Sequence, residues 1–345
     1  MNIRIKSSSR LLMNRPVNAI SAKYSYAAKQ GVDLSSVLSE IGLTETDLED
    51  PDLFVTIDQE FSFLSKFLKK INDPMLGIEV AKHHHLAALG KWAIAVLYSS
   101  TGLEAFKVAF KFSDISNTTL QYELTASGES ATVRCRELMD LGDCRKFIHQ
   151  HEIFVVYQLY CLVIEKPLKL NELRFAFPEP ENPDEYQEVF QCPVYFDAES
   201  TSISFDSSYL KETLPRANPL LRKSYEKESE KFLKHIRSLE STATRVNWEL
   251  SCFEEGLLPT IEYIAGRLHM SSRTLKRRLN AEATSYKSLL EDFRKKKAVN
   301  LLQTTNLSLE EISLKIGYSD APGFCHAFKR WTGFRPSHYR NAIQE

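Results

Sequence analysis

Arg273, Lys276, Arg277 and Asn280 stand at i, i+3, i+4 and i+7 within the stretch MSSRTLKRRLN, residues 270–280. On an α-helix those positions share one face. Their chemistry matches the edges of DNA bases: Arg and Lys donate toward guanine, and Asn pairs with the donor and acceptor of adenine. Leu275 and Leu279 fall on the opposite face, so burying them turns the polar row outward. The bland alternative is a solvated basic face on an ordinary helical bundle.

A repeat weighs against that alternative. In residues 261–279, IEYIAGRLHMSSRTLKRRL, the residues Ile261, Ile264, Ala265 and Leu268 have helical spacing, and Leu309, Ile312, Ser313 and Ile316 take the same places 48 residues later. A short turn follows each helix. The second turn has Gly317, suited to a left-handed backbone, and the first has His269, which tolerates it less well. Ser271 and Asp320 then stand as N-caps. Beyond the turn, Leu275 and Leu279 match Phe324 and Phe328, now 49 residues apart. Two short helices, the second capped and anchored by two apolar residues, make a helix-turn-helix unit, and here there are two.

Such a helix lies in a major groove. The candidate DNA-facing residues are Ser271, Ser272, Arg273, Lys276, Arg277 and Asn280 in the first unit. In the second they are Ala321, Pro322, Gly323, Cys325, His326 and Lys329. Pro322 is tolerated because it falls in the first helical turn. On this placement of Cys325, its alkylation is incompatible with DNA binding. Between the units, Tyr286, Leu289, Leu290, Phe293, Ala298, Leu301 and Leu302 form an apolar stripe on a helix of about nineteen residues, roughly 28 Å long. That rod would set two reading helices about one DNA turn apart, roughly 34 Å. Arg294 to Lys297 lie on it and either touch phosphate or stay solvated. Arg294, Arg335, Tyr339 and Arg340 are the candidates for positioning on phosphates.

The remaining features set bounds. The chain has 345 residues with a formal net charge of −1, 43% hydrophobic and 26% charged. Residues 245–345 carry 16 Lys and Arg against 11 Asp and Glu, a net +5, and the remainder carries 28 against 34, a net −6. A basic C-terminal part on an acidic partner suggests that only the tail meets a polyanion. The six cysteines are scattered, which argues against a disulfide framework or zinc module and fits a reducing compartment. The start has no apolar run of signal-peptide length, and IFVVYQLYCLVI (153–164) is too short and too polar to span a bilayer. Consecutive histidines in KHHHLAAL point about 100° apart and cannot converge on one ion. Phosphate-loop, nucleophile-elbow, dinucleotide-binding and zinc-protease motifs are missing. No catalytic residue, metal or cofactor is expected.

Residues 1–30 read as a flexible start and first helix. Helical spacing recurs at 57–71, 75–82, 103–115 and 146–165, a hairpin at about 120–137, and short strands in LNELRFAFPEP, CPVYF and STSISFD. The fold class is thus an α+β domain over 31–216, a helical linker over 217–248, and an all-α C-terminal domain over 249–345. That last domain has helix-turn-helix units at about 261–282 and 309–332, joined by the long helix. The linker's Leu221, Tyr225, Phe232, Leu233, Ile236 and Leu239 suit interdomain packing or a dimer seam.

The stretch 250–342 resembles the AraC/XylS family of bacterial transcription regulators. IAGRLHMSSRTLKRRL, the connecting helix with AVNLL, EEISLKIGYSD…F…AFKRWTG and RPSHYR carry the likeness. It implies promoter binding, usually activation through RNA polymerase and sometimes repression. Residues 30–215 resemble the arabinose-binding-like ligand-sensing domain of one subgroup, through GLTETDLEDPDLFVTIDQEFSFL, DPMLGIEVA, LAALGKWAIAVLYSSTGLEAFKVAFKF and EYQEVFQCPVYFDAESTSISFDSSYL. That likeness implies a small organic effector. Where the family usually carries Ser and Arg in the second reading helix, this chain has Pro322 and His326, so the first unit is expected to hold most base specificity. The expectation is a cytoplasmic, nucleoid-associated regulator of double-stranded DNA, an activator responding to a small metabolite, with a homodimer possible and no membrane contact. The alternatives are a constitutive dimeric regulator with a purely structural N-terminal domain, and an enzyme domain tethered to DNA. An apolar pocket with few convergent polar groups would favour the sensor, a filled core the dimer module, and an exposed His/carboxylate cleft the enzyme.

Overall fold

Two compact units, Met1–Leu239 and Glu240–Glu345, make up the chain in this computed structural model. Residues 2–7, 12–83, 89–116, 118–251, 258–305 and 307–344 are described. His84 and His85 of the triple histidine, and Cys252, lie outside them.

The first unit is α+β. Its six-stranded sheet comprises Ile3–Lys6 (β1), Leu120–Ser127 (β4), Ser130–Glu137 (β5), Leu170–Arg174 (β6), Val194–Tyr195 (β7) and Thr201–Asp206 (β8), in the order β1-β4-β5-β8-β6-β7. All pairs are antiparallel except β6 with β7. The hairpin read from period-2 alternation forms with Leu124 opposite Val133, and Leu120, Leu124 and Val133 are buried. Three strands were not foreseen. The supposedly flexible start contributes β1, which adds to the sheet edge beside β4, and Asn14–Pro16 (β2) pairs with Phe54–Thr56 (β3).

The helices of this unit are Asn18–Lys29 (α1), Ser35–Glu40 (α2), Ile57–Lys70 (α3), Leu76–Lys82 (α4), Lys91–Leu97 (α5), Gly102–Lys111 (α6), Arg145–Ile164 (α7), Pro183–Phe190 (α8) and Pro219–Leu239 (α9). A capping box opens α3: the Thr56 hydroxyl accepts from the Gln59 N–H, and the Gln59 side chain accepts from the Thr56 N–H. Helices α4 and α7 meet closely at Gly77, where a Cβ would stand 2.4 Å from the Phe147 carbonyl oxygen. Only glycine permits that approach. Helix α7, extended to Gly142–Ile164, is long and apolar enough to cross a membrane, yet half of that stretch is buried inside the fold. The aromatic segment after β6 packs core, with Phe175, Phe177, Tyr186 and Phe190 all buried.

Segment 217–248 is not one linker. Helix α9 packs on the first unit, where Tyr225 stacks on Tyr98 at 6.3 Å. Ion pairs Lys91–Glu228 (2.5 Å), Lys111–Glu230 (2.7 Å), Arg222–Glu104 (3.2 Å) and Arg237–Asp114 (2.5 Å) line its length. The rest of the segment, Thr242–Ser251 (α10), joins the second unit through buried Val246 and Leu250. The second unit therefore begins before residue 249. Its other helices are Ile261–Arg267 (α11), Ser272–Ala281 (α12), Tyr286–Thr304 (α13), Leu309–Lys315 (α14), Ala321–Thr332 (α15) and Pro336–Gln344 (α16).

Charge is buried beside α1. Arg15, 1% exposed, pairs with Glu60 at 2.9 Å and donates to the Leu12 and Thr118 carbonyls. Lys23 donates to the Ala19 carbonyl at 2.5 Å and stands 3.7 Å from the other Glu60 oxygen. Breaking a buried pair leaves a charge with no compensation. Glu60→Gln is therefore expected to destabilise the first unit by about 3–5 kcal/mol. Urea unfolding of the full chain checks it, and a loss below about 1 kcal/mol, the level of an exposed pair, would show that Glu60 is dispensable.

Candidate nucleic-acid interface

Each reading helix is aimed by its cap and its two anchors. In the first unit α12 starts at Ser271, whose hydroxyl accepts from the Thr274 N–H at 3.2 Å. Leu275 and Leu279 are fully buried with Ile264, Ala265 and Leu268. Arg273, Lys276, Arg277 and Asn280 are all exposed, and Ser272 is half-buried at the first helical position. In the second unit Asp320 accepts from the Gly323 N–H at 2.7 Å, and Phe324 and Phe328 are buried with Ile312 and Ile316. Pro322, Gly323, His326 and Lys329 are exposed and Ala321 is half-buried. Pro322 sits in the first turn of α15, where no helical partner is lost.

The turns explain the register. His269 (φ 55) and Gly317 (φ 77) both adopt the left-handed conformation, and they lie 48 residues apart. The N-caps Ser271 and Asp320 lie 49 apart, so the extra residue falls in the second turn. Helix α13 serves both units. Leu289, with Tyr286, Leu290 and Phe293 against it, belongs to the first apolar cluster, while Ala298 and Leu302 belong to the second.

With that geometry in hand, residues 31–214 match the family described as the arabinose-binding domain of AraC transcription regulators, N-terminal, and residues 264–342 match a helix-turn-helix domain. The chain belongs to the AraC family of transcriptional regulators. It is 33% identical over 270 residues to the ornithine utilization regulator of Pseudomonas aeruginosa, covering 78% of this chain and 79% of that one. It is 25% identical over 308 residues to the transcriptional regulator VirS of Mycobacterium tuberculosis, covering 84% and 85%. The crystal structure of the regulator CdpR from Pseudomonas aeruginosa is 22% identical, covers 93% of this chain and 96% of that one, and gives a TM-score of 0.49. An AraC-family chain of this kind is a DNA-binding transcriptional regulator, not an enzyme.

Several candidates do other work in this AraC-type unit. Arg294 clamps the second turn: it donates to the Ile316 carbonyl at 3.2 Å and the Gly317 carbonyl at 2.9 Å, and its guanidinium lies 4.6 Å from the Tyr318 ring centre. Those carbonyls end α14 and would otherwise lack helical partners. Arg340 donates to the Leu307 carbonyl at 2.6 Å, and the Tyr339 ring packs edge-on against Phe328. Of the four proposed phosphate contacts, Arg335 is the fully exposed one. Cys325 is half-buried against the second apolar cluster, and burial pushes its thiol up although Arg335 opposes this. It sits on the flank of the exposed row. Two roles had gone unread. Arg330 pairs with Glu291 at 3.1 Å, tying α15 to the rod. Glu282, just past α12, accepts from the Thr242 and Ala243 N–H groups at 2.7 and 2.8 Å. Nothing in the spacing of either residue distinguishes it from a solvated charge.

Two outcomes follow for the first unit. A left-handed His costs about 1–2 kcal/mol, part of which Gly returns as unfolded-chain entropy. His269→Gly is therefore expected to stabilise this unit by about 0.5–1 kcal/mol, seen as slower amide exchange in 261–281. Unchanged or faster exchange would contradict the strain. Burial pushes the Glu282 carboxyl up, but its hydrogen bonds from Ala243 and Thr242 outweigh that and hold it below the usual carboxylate range. Its contribution to stability is present above the unfolded value of about 4.3 and is lost as pH falls through the lower folded value. Protection of 242–251 against exchange should drop in acid in the native chain. In Glu282→Gln it should start lower and show a flatter acid limb.

Proposed function

We propose that α12 and α15 enter successive major grooves on one side of a promoter, with α12 supplying most of the sequence reading. The observation that carries this is the exposed row Arg273, Lys276, Arg277 and Asn280 on a capped helix whose opposite face is locked by Leu275 and Leu279. In α15 the corresponding places are Pro322, Cys325, His326 and Lys329, which offer few bidentate donors. That helix positions the protein on the backbone, together with Arg335. Ser271 lies at the N-terminus of α12, where backbone N–H groups meet phosphate.

The first unit is read as an effector sensor and the whole as an activator acting with RNA polymerase in the cytoplasm, with dimers formed through the first unit. A cleft of about 300 Å³ beside α1 supports the sensor over the purely structural domain, which would have a filled core. The relation to a regulator named for ornithine utilization supports a small metabolite as the signal. The effector acts on DNA affinity only by its differential affinity for the two states of the protein.

The test starts with a binding site selected by the full-length protein from random duplexes. On that site affinity should fall steeply with salt, as expected when several phosphates are neutralised. Arg277→Ala should cost about 1–3 kcal/mol of discrimination between the selected base pair and its variants. His326→Ala should weaken binding without relaxing sequence choice. Equal loss of discrimination in the two variants would overturn the division of labour, and salt-insensitive binding would overturn the interface itself.

A further inference from the structure

Helix α9 is divided by charge along its length. Its buried face centres on Ser229 and Ile236. Three glutamates flank that face and reach to the neighbouring helices: Glu228 pairs with Lys91 of α5, Glu226 and Glu230 pair with Lys111 of α6, and Glu226 also holds Arg222. Arg237 is taken by Asp114. The face turned away from the fold carries Lys223, Lys227, Lys231 and Lys234, at i, i+4, i+8 and i+11, all exposed. Exposed Ser224 and Ser238 stand in the same row. None of the four lysines has an ion-pair partner among the described residues. Glu228 and Glu230, held below the usual carboxylate range chiefly by Lys91 and Lys111, feel Lys231 and Lys234 only as secondary charges.

The row is about 16 Å long. Like charges at i, i+4 repel one another, so this face gains from a partner that supplies negative charge. An acidic protein and a nucleic-acid backbone both supply it, and the backbone fits better on three counts. Apart from Leu220 at its start, the row holds no apolar, aromatic or Arg anchor of the kind that concentrates binding energy between proteins. Ammonium groups on flexible stems, with hydroxyls between them, suit phosphates repeating along a strand. The chain before residue 245 carries a net −6, so a duplex held nearby repels it except along a basic strip such as this one. Finally, the covalent chain ties the row to the DNA-binding unit. Lys234 stands five residues before the end of α9 at Leu239, and α10 begins at Thr242, a tether of no more than about 20 Å.

We propose that the outward lysine row of α9 is a further DNA contact, seated on backbone phosphates of the duplex that flanks the site read by α12 and α15. This rests on the reading of the second unit as promoter-binding and extends its footprint onto the first unit. The contact adds affinity and leaves base choice unchanged, because phosphates carry no sequence information.

The experiment titrates the full-length protein, at several salt concentrations, onto two duplexes. One is the selected site trimmed to its protected core. The other is the same site with about ten further base pairs of arbitrary sequence, one helical turn, at each end. The flanked duplex should bind about tenfold or more tightly at low salt, with a log–log salt slope steeper by about 2–3, near 0.9 for each phosphate neutralised. Changing the row together to glutamine (K223Q, K227Q, K231Q and K234Q) keeps good helix formers on the exposed face. That variant should lose both differences while its binding to the trimmed core, its base discrimination and its unfolding transition stay as in the native chain. Arginine at the same four positions should restore the flank gain. A native protein that gains nothing from flanks, or a glutamine variant that keeps the gain, would overturn the proposal. So would a variant that keeps the flank gain but no longer supports transcription with purified RNA polymerase, which would assign the row to an acidic protein. Intact core binding with no flank gain sinks this inference alone. Failure of the native protein to bind the trimmed core with salt and base dependence sinks the promoter reading, and this one with it.

Discussion

Helix α13 lends its first half to one apolar cluster and its second half to another, and the geometry of the DNA-binding unit depends on that sharing. Each cluster is small. The first centres on Val246, Ile264, Leu275 and Leu279, and the second on Ile312, Phe324 and Phe328. Cores of this size rarely stabilise an isolated domain. A common helix makes each cluster a neighbour of the other and fixes the distance between α12 and α15 without a flexible joint. Polar contacts reinforce it: Arg294 holds the second turn, and Glu291 holds Arg330 of α15. An arginine on the rod thus helps to aim a helix.

The sequence was legible where local spacing carried the physics. Apolar residues at i, i+3, i+4 and i+7 marked α11 and α14, and two hydrophobes per reading helix marked which face is hidden. The one-residue slip between 48 and 49 was visible as well, and it lies in the longer second turn. His269 stands left-handed because the repeat demands it there, even though its residue type resists. For such features a short window contains all the interacting partners.

Long-range partners were not legible. Residues 3–6 become a strand only because β4 offers an edge more than a hundred positions away. Helix α9 read as a linker because its amphipathic pattern says that one face is covered and not by what. The structure covers it with α5 and α6, through charges whose partners sit on other helices. Arg294, Arg340 and Glu282 show the same limit for single side chains. A charge on a helix surface looks identical in sequence whether it meets water, phosphate or a neighbouring carbonyl, and only the fold brings Ile316, Leu307 or Thr242 within reach.

On the reading proposed above, the asymmetry between α12 and α15 follows from the same rod. Once α12 is seated, α15 is delivered at a high effective concentration, because the two share one rigid helix. Orientation and translation have already been restricted by the first contact, so even modest backbone interactions from α15 add to overall affinity. A helix that begins Ala321-Pro322-Gly323 offers close backbone approach and little side-chain reach. Such a helix suits a role in which phosphates are contacted and sequence is left to its partner. Rigid coupling also means that the turn clamped by Arg294 transmits any misplacement of the rod directly to α15. The clamp on two carbonyls and a ring holds the turn that aims α15.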